Sequence, residues 1–524
     1  MTKSTLPPVS SNQAPARRPP RTLRHKHSQL APLRLSRPRP SPGLSIFVRT
    51  LILLISARPS SRFNHYLRYA PPTASAALAE PCRRSLLRAL EICLRLPAGS
   101  ILESSAASGT LEQSLLPARL GGVNTPDPVL LAAPCALGCT ADTLPILRLD
   151  PYLSSILVDT ASWPTCSSPL LRQLHAAFYS VTALPTFADL PSHMPDGLQR
   201  SVASLLCNKD GHYDLSLLHL VAGRHSQQAF TNAVFSAHYA ALLSDVSALT
   251  TLARARIRHA SHAGAHALLS AYYLPSSIRL TDRAAQFFFC HRLGVPLPYL
   301  PVPPPRCCHP ACRDWPPSRP VPPDHPLSPL LCHAYHACGC GAGGFRHRRH
   351  DALIRIIAET ARQQAGFATD DRARLSSSST SNTKVDLVVT SYDRSVFELA
   401  IDATVSCPLL PAYLSAAAAN SSRMFDDRAA LKDSKHLEGC RAQGRAFLPI
   451  VFSSLGGIGP PPALEWLDSL FLTSFAAERA ACGNGVVTSR RRALFYQRIQ
   501  ASLTRATADM TLELPNTSHA PHSP

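Results

Sequence analysis

Two short apolar runs, each interrupted by one aspartate, restrict this chain more than any other feature. The first is Lys384-Val385-Asp386-Leu387-Val388-Val389-Thr390. The second is Val396-Phe397-Glu398-Leu399-Ala400-Ile401-Asp402-Ala403-Thr404-Val405. Both are rich in β-branched residues and of strand length. Between them Ser391-Tyr392-Asp393-Arg394-Ser395 has turn composition, so the pair reads as a hairpin. A carboxylate among apolar residues is costly unless it is paired or holds a cation. Two of them on neighbouring strands point to a magnesium site. Downstream, Ala429-Ala430-Leu431-Lys432-Asp433-Ser434-Lys435-His436 reads as a helix with Lys432, Lys435 and His436 on or near one face. Two acids and a lysine suit metal-assisted phosphodiester hydrolysis. Asp386 and Asp402 bind Mg²⁺, and Lys432 or Lys435 orients water or offsets phosphate charge. The plainer alternative is a hairpin whose aspartates sit in solvent at the strand ends, followed by an ordinary solvated helix.

Charge narrows the partner. Lys plus Arg number 53 against 33 Asp plus Glu, a formal charge of +20, which favours a polyanion and nucleic acid first. Part of the excess belongs to a tail, since no acidic residue precedes Glu80. Residues 1–60, with Arg17-Arg18-Pro19-Pro20-Arg21 and Arg37-Pro38-Arg39-Pro40, are expected to be disordered, because such a segment buries too little apolar surface to offset its ordering entropy. The apolar run Leu51–Ile55 is too short for a signal peptide or a membrane span, and Arg49 and Arg58 bracket it. The 16 cysteines are therefore read as reduced, and the location as nuclear or cytoplasmic, with a mitochondrial address as the lesser alternative.

Residues 61–300 are Ala- and Leu-rich with helical periodicity. Helices are expected at Pro81–Leu96, Leu170–Thr182, Gly197–Cys207, Phe230–His262 and Leu280–Leu293, the last capped by Thr281 or Asp282 and stopped by Gly294. A turn is required at Gly121-Gly122. This region reads as a scaffold without a catalytic constellation.

A Pro-rich linker at 301–345 holds Cys307, Cys308, His309, Cys312, His325, Cys332, His333, His336, Cys338 and Cys340. A loop this poor in apolar residues needs a staple, and a structural zinc with four Cys or His ligands would supply it. Cys308 and Cys312 form one pair. His325 and Cys332 are one choice for the other, with Cys307, His333, His336, Cys338 and Cys340 as alternatives. Then Arg346-His347-Arg348-Arg349-His350-Asp351 opens an amphipathic helix through Leu353, Ile356, Ile357 and Thr360. Arg346, Arg348, Arg349, His350 and Arg355 are its candidate nucleic-acid contacts; a solvated basic face fits the same residues. Ala446–Ser453 reads as a third strand, a helix is expected over 462–481, another after Arg490-Arg491-Arg492, and disorder over 509–524. Met424-Phe425-Asp426-Asp427 has the Asp-Asp of a polymerase motif but lies in a helical stretch rather than a hairpin turn.

Taken in order, these motifs resemble the C-terminal part of non-LTR retrotransposon polyproteins that carry a restriction-like endonuclease of the PD-(D/E)XK fold. Leu116-Pro117-Ala118-Arg119-Leu120-Gly121-Gly122 is similar to the segment downstream of the family's reverse transcriptase core. Leu280-Thr281-Asp282 and Arg292-Leu293-Gly294-Val295-Pro296 look like the end of its helical region. Arg349-His350-Asp351 matches its helix start after a Cys/His knuckle. Val385-Asp386 stands for Pro-Asp, Asp402-Ala403-Thr404 for the second strand, and Lys432 with Lys435-His436 for its Lys-x-x-Lys-(Tyr or His) helix. Phe447-Leu448-Pro449 and Gly456-Gly457 fit what lies beyond. Thr404 stands where the simplest members have a lysine, so the lysine must come from the helix. The resemblance implies a mixed fold: mostly α-helical over 61–300, a zinc knuckle over 301–345, and an α/β restriction-endonuclease-like domain over 346–508. It implies a Mg-dependent DNA endonuclease, a hydrolase that nicks a target, with DNA and the element's RNA as partners. No polymerase palm is recognisable in these residues, so the chain reads as a fragment or a detached descendant. A catalytically inactive remnant that only binds nucleic acid is the alternative.

Overall fold

The computed structural model describes residues 67–513 apart from 69–71, 152–153, 155–158, 189–201, 223–225, 246, 271–274, 276–277, 299–337, 339–344, 372–383, 391–397 and 472–485. Within these residues the chain is mostly helical and carries one small mixed sheet. The expected tails at 1–60 and 514–524 lie outside the described residues.

The first part contains α1 (Pro72–Leu94), α2 (Pro128–Leu147), α3 (Pro169–Thr182), α4 (Ser226–Ser244), α5 (Thr251–Ala260) and α6 (Asp282–Leu293). Helix α1 begins at Pro72, so Pro81 falls inside it rather than in its first turn. Helix α2 has no counterpart among the sequence expectations, because Pro134 and Pro145 interrupt its pattern. It is long and apolar enough to cross a membrane by length and composition, yet half of that stretch is buried. Leu137, Ala141 and Leu144 of α2 join Phe178 and Phe230 in a shared core, which makes it the centre of the helical layer. The long helix expected over Phe230–His262 is broken into α4 and α5. Asp245 Oδ1 accepts the backbone N–H groups of Ser247 and Ala248, and Thr250 caps α5 by accepting from Ala253 N. Such side-chain acceptors offer the backbone an alternative to the helix. The helix expected at Gly197–Cys207 is described only as Val202–Leu205. Helix α6 begins and ends as expected: Thr281 accepts from Ala284 N, and Gly294 adopts φ +68°.

One buried cation joins two distant motifs. Arg292 is fully buried and donates to four backbone carbonyls: Nε to Gly122 (2.9 Å), Nη1 to Ala265 (2.8 Å), and Nη2 to Ala118 (2.9 Å) and Ala260 (2.8 Å). Gln113 Nε2 completes the junction by donating to the carbonyls of Gly121 and Arg292. The turn at Gly121-Gly122 and the end of α6 are thus one polar structure. A Cβ on Gly122 would lie 1.8 Å from Leu116 O, so no side chain fits there.

The second part contains α7 (Phe345–Ala365), β1 (Ala368–Asp371), β2 (Leu387–Thr390), β3 (Glu398–Ser406), α8 (Pro411–Ala419), α9 (Arg423–Ala442), β4 (Ala446–Ser453), β5 (Ile458–Gly459), α10 (Pro461–Ser469) and α11 (Val486–Glu513). The strand order is β1-β2-β3-β4-β5. The expected hairpin is present, with β2 antiparallel to β3 and Leu387 opposite Ile401. Strand β4 is the expected third strand and runs parallel to β3, Asp402 opposite Pro449. A parallel pair needs a crossover, and α8 with α9 provide it. Strands β1 and β5 were not foreseen in the sequence. Helix α11 continues to Glu513, past the expected end of order at 508.

Strand alternation then sorts the side chains. Leu387, Val389, Leu399, Ile401 and Ala403 face the core built with Leu353 and Ile357 of α7 and Phe495 and Ile499 of α11. Val388 and Ala400 take the other face, with Cys440 of α9. Asp402 shares the parity of Ala400 and lies on the α9 side, whereas Asp386 precedes β2 at a bend, where Val385 also packs with Val388. The two parts are also joined directly: Ile458 N donates to Ala263 O, and Leu268 N donates to Gln500 Oε1.

Candidate active site

Asp386 sits just before β2 and is pinned across the hairpin. Its N–H donates to Ile401 O, and its Oδ2 accepts from Ala403 N at 2.8 Å. Asp402 lies in the middle of β3 with a side chain 6% exposed. The two carboxyl groups shift each other's titration in opposite directions. Burial and the charge of Asp386 raise the Asp402 carboxyl to about 7. Burial also acts to raise Asp386, but hydrogen bonds from His350, Asp402 and Ala403 prevail and hold it down at about 2. Near neutral pH the pair therefore shares a proton, as expected of carboxylates that cannot both ionise at close range.

Helix α9 supplies the other side. Lys432 and His436 are one turn apart and so share a face. Lys432 Nζ stands 2.7 Å, and His436 Nε2 3.0 Å, from the same oxygen, Asp402 Oδ2. Neither approach has the angles of a hydrogen bond: Asp402 Oδ2 and both ring nitrogens of His436 have no hydrogen-bond partner among the described residues. The Lys432 ammonium acts to lower the Asp402 carboxyl, against the burial and the Asp386 charge that raise it. Burial, then Lys435 and Lys432, push the His436 ring down to about 4, so it is neutral at physiological pH. Lys435 itself is exposed, so of the two candidate lysines it is Lys432 that reaches the carboxylates.

His350 comes from the first turns of α7. Its Nε2 is 2.8 Å from Asp386 Oδ2 and its Nδ1 3.3 Å from Asp351 Oδ1. Burial acts to lower this imidazole, but Asp386 and Asp351 outweigh it and raise its pKa. Read from the sequence as a phosphate contact, His350 is placed by the fold against a carboxylate of the site. Arg346, Arg348 and Arg355 are exposed on α7. Arg349 is 2% exposed and turned inward, donating to Cys338 O and Thr507 Oγ1. Its guanidinium ties α7 to α11 rather than facing solvent.

Cys307, Cys308, Cys312, His325, Cys332, His333, His336 and Cys340 lie outside the described residues. Cys338 is buried, and hydrogen bonding to Cys407, then burial, push its thiol pKa up. Among the described residues, no group of three or more His, Cys, Asp or Glu is drawn together closely enough to hold a metal ion. At the Asp386–Asp402 pair a buried Asp402 oxygen and the buried Nε2 of His436 stand 3.0 Å apart without a hydrogen bond. Unpartnered buried polar atoms are costly, and a cation between them removes that cost.

No protein-family model matches the chain, and no curated protein matches it.

Proposed function

We propose that residues 346–513 carry a metal-dependent endonuclease site that hydrolyses a phosphodiester bond of DNA, and that the chain derives from a non-LTR retrotransposon polyprotein. The observation that carries this reading is the meeting of Asp386, Asp402 and Lys432 from three separate segments. Asp386 and Asp402 would hold a Mg²⁺ once their shared proton has left, and the ion would supply a water of lowered pKa and positive charge toward the phosphate. Lys432 offsets charge developing on the phosphate. His350 orients Asp386 through the 2.8 Å contact to its Oδ2. The exposed Arg346, Arg348 and Arg355 hold backbone phosphates, which positions DNA without reading its sequence. A structural zinc held by the Cys/His segment, and binding of the element's own RNA, belong to the same proposal.

The test is plasmid nicking by the full chain with Mg²⁺. Wild type is expected to convert supercoiled to open-circular DNA, and Asp402→Ala is expected to lose that activity. Equal nicking by both proteins overturns the assignment. One observation favours a second reading, a remnant that binds nucleic acid without cutting it: the Lys432 ammonium already lies 2.7 Å from Asp402 Oδ2 and neutralises it in place of a cation. That reading requires salt-sensitive DNA binding with no cleavage under any divalent ion.

A further inference from the structure

We infer that Arg348 and Arg355 belong to a larger face, built by α7 and α11 together on the side of the sheet away from Asp402, which holds a nucleic-acid duplex through its phosphates alone. The inference rests on the reading above for the class of its partner, and it places the held duplex apart from the point of cutting.

The two helices lie side by side and antiparallel. Arg349 Nη1 is 3.3 Å from Thr507 Oγ1, Arg498 Nη2 2.7 Å from Glu359 Oε2, and Arg491 Nη1 3.5 Å from Gln364 Oε1, so numbers rise along one helix as they fall along the other. Each helix carries a row of arginines two turns apart. On α7 the row is Arg348, Arg355 and Arg362; on α11 it is Arg491, Arg498 and Arg505. At that interval each row keeps to one side of its helix and places a guanidinium about every 10 Å. Leu353 and Ile357 of α7 and Phe495 and Ile499 of α11 point the other way, into the core against the sheet. Both rows therefore face outward: Arg348, Arg355, Arg362 and Arg491 are exposed, and Arg498 and Arg505 half-buried. The Arg498–Glu359 pair bridges the rows into one face. Lys432 and Asp402 lie beyond the sheet, on the α9 side. Arg348 stands two residues from His350, which contacts Asp386, so the face begins beside the site.

Charge and residue type select the occupant. The acids one turn from Arg355 are engaged elsewhere, Asp351 with His350 and Glu359 with Arg498. Arg355 and Arg362 are thus left without an ion pair among the described residues. Asp509, one turn past Arg505, is the other acid on this face. A solvated helix surface gains from opposite charges three or four residues apart, whereas these rows repeat one sign. Neither helix contains a lysine. The planar fork of arginine matches a phosphate with two parallel hydrogen bonds, which a lysine cannot do. No exposed Phe, Tyr or Trp stands between the rows among the described residues. Single strands are gripped by stacking their bases on aromatic rings, so this face suits a duplex, whose phosphates are its outer surface.

The experiment measures anisotropy of a fluorescein-labelled DNA duplex of about 20 base pairs with the full chain, in EDTA, over a series of KCl concentrations. Arg362→Gln/Arg491→Gln is expected to reduce the steepness of log Kd against log[KCl] by about 2, and to weaken binding about tenfold at about 0.1 M salt. Arg84→Gln/Arg283→Gln removes the same charge from exposed positions of the helical part and is expected to bind as wild type. Equal weakening by both double variants means that net charge alone acts, and overturns the inference. Wild-type binding by Arg362→Gln/Arg491→Gln overturns it too. Should that variant fail to fold, Arg362→Gln alone is expected to reduce the steepness by about 1, and no change sinks the idea. A single-stranded RNA of the same length is expected to lose less affinity than the duplex in the double variant; an equal or larger loss rules out the duplex as occupant. Nicking is scored separately. Wild type that binds with this salt dependence and never nicks ends the endonuclease reading and leaves the face standing, while nicking by wild type with an unaltered slope in the variant ends only the face.

Discussion

Arg292 and Asp402 are both buried charges, and the molecule treats them in opposite ways. Every guanidinium nitrogen of Arg292 has a carbonyl acceptor, and burial lowers its pKa only to about 9, so it stays charged. Asp402 has one oxygen with no hydrogen bond, close to a lysine and a neutral histidine, and burial raises its carboxyl to about 7. A buried charge that the backbone completes adds rigidity and is harmful to remove. A buried charge left incomplete costs stability in the folded state, and such sites are where chemistry is found. The helical part is held together at the first kind of group, and the sheet part presents the second.

This contrast can be broken by substitution. Arg292→Met removes a donor from four carbonyls, of which Ala118 O keeps Gly121 N and Ala265 O keeps Gln500 Nε2, and a loss of about 1–3 kcal/mol is expected for each carbonyl left unsatisfied. Denaturant unfolding measures it, and an unchanged midpoint would remove Arg292 from its central place. Asp402→Asn is expected to do the reverse: stability equal to or above wild type, with nicking reduced by about 10²-fold or more, as when a transition-state contact is lost. A destabilised Asp402→Asn protein would make Asp402 a structural residue like Arg292.

Titration sharpens the comparison at intermediate scale. The folded pKa of Asp402, about 7, lies above its ordinary value of 3.8, so between those values the folded chain keeps a proton that the unfolded chain has lost. The contribution of Asp402 to stability is therefore full below about pH 4 and declines as pH rises toward 7. Asp386 has the opposite sign in a lower window: its folded value of about 2 means its contribution is lost as pH falls from about 4 to 2. His436, lowered to about 4, gains stability with pH over part of the upper window, so the wild-type curve alone mixes two trends. The difference between wild type and Asp402→Asn isolates the decline, measured as unfolding midpoints from pH 4 to 7.5. A flat difference would contradict the shared proton. The smallest effect is expected at a cap: Thr281→Ala should cost about 1 kcal/mol, because Ala284 N loses its acceptor at the start of α6. A cost near zero would mean that the Arg292 junction alone holds the helix.

Much of the sheet and part of the site were legible in the sequence. Period-two alternation marks the strands that carry Asp386 and Asp402, since strand pattern is local, but that the two side chains meet depends on the hairpin register and on the bend before β2. The 3.6-residue pattern of α7 and the Thr281 and Gly294 signals of α6 are local in the same way. The helix carrying Lys432 was legible too, but not which lysine would turn inward, because Lys432 and Lys435 both lie near the face toward the strands and only packing chooses between them. Helix α2 was hidden because its prolines lower local propensity, while burial against α1, α3 and α4 overrides that loss.

By itself, then, the sequence determined the strand pair, the basic helix before it and the lysine helix after it. Each follows from the dihedral period of neighbouring residues. Tertiary structure alone decided that His350 meets Asp386, that His436 faces Asp402 without a hydrogen bond, and that Arg292 gathers carbonyls from Ala118, Gly122, Ala260 and Ala265. These contacts join segments far apart in the chain. Their free energy depends on burial and on which polar groups remain unpaired after packing, and no local pattern of residues encodes either.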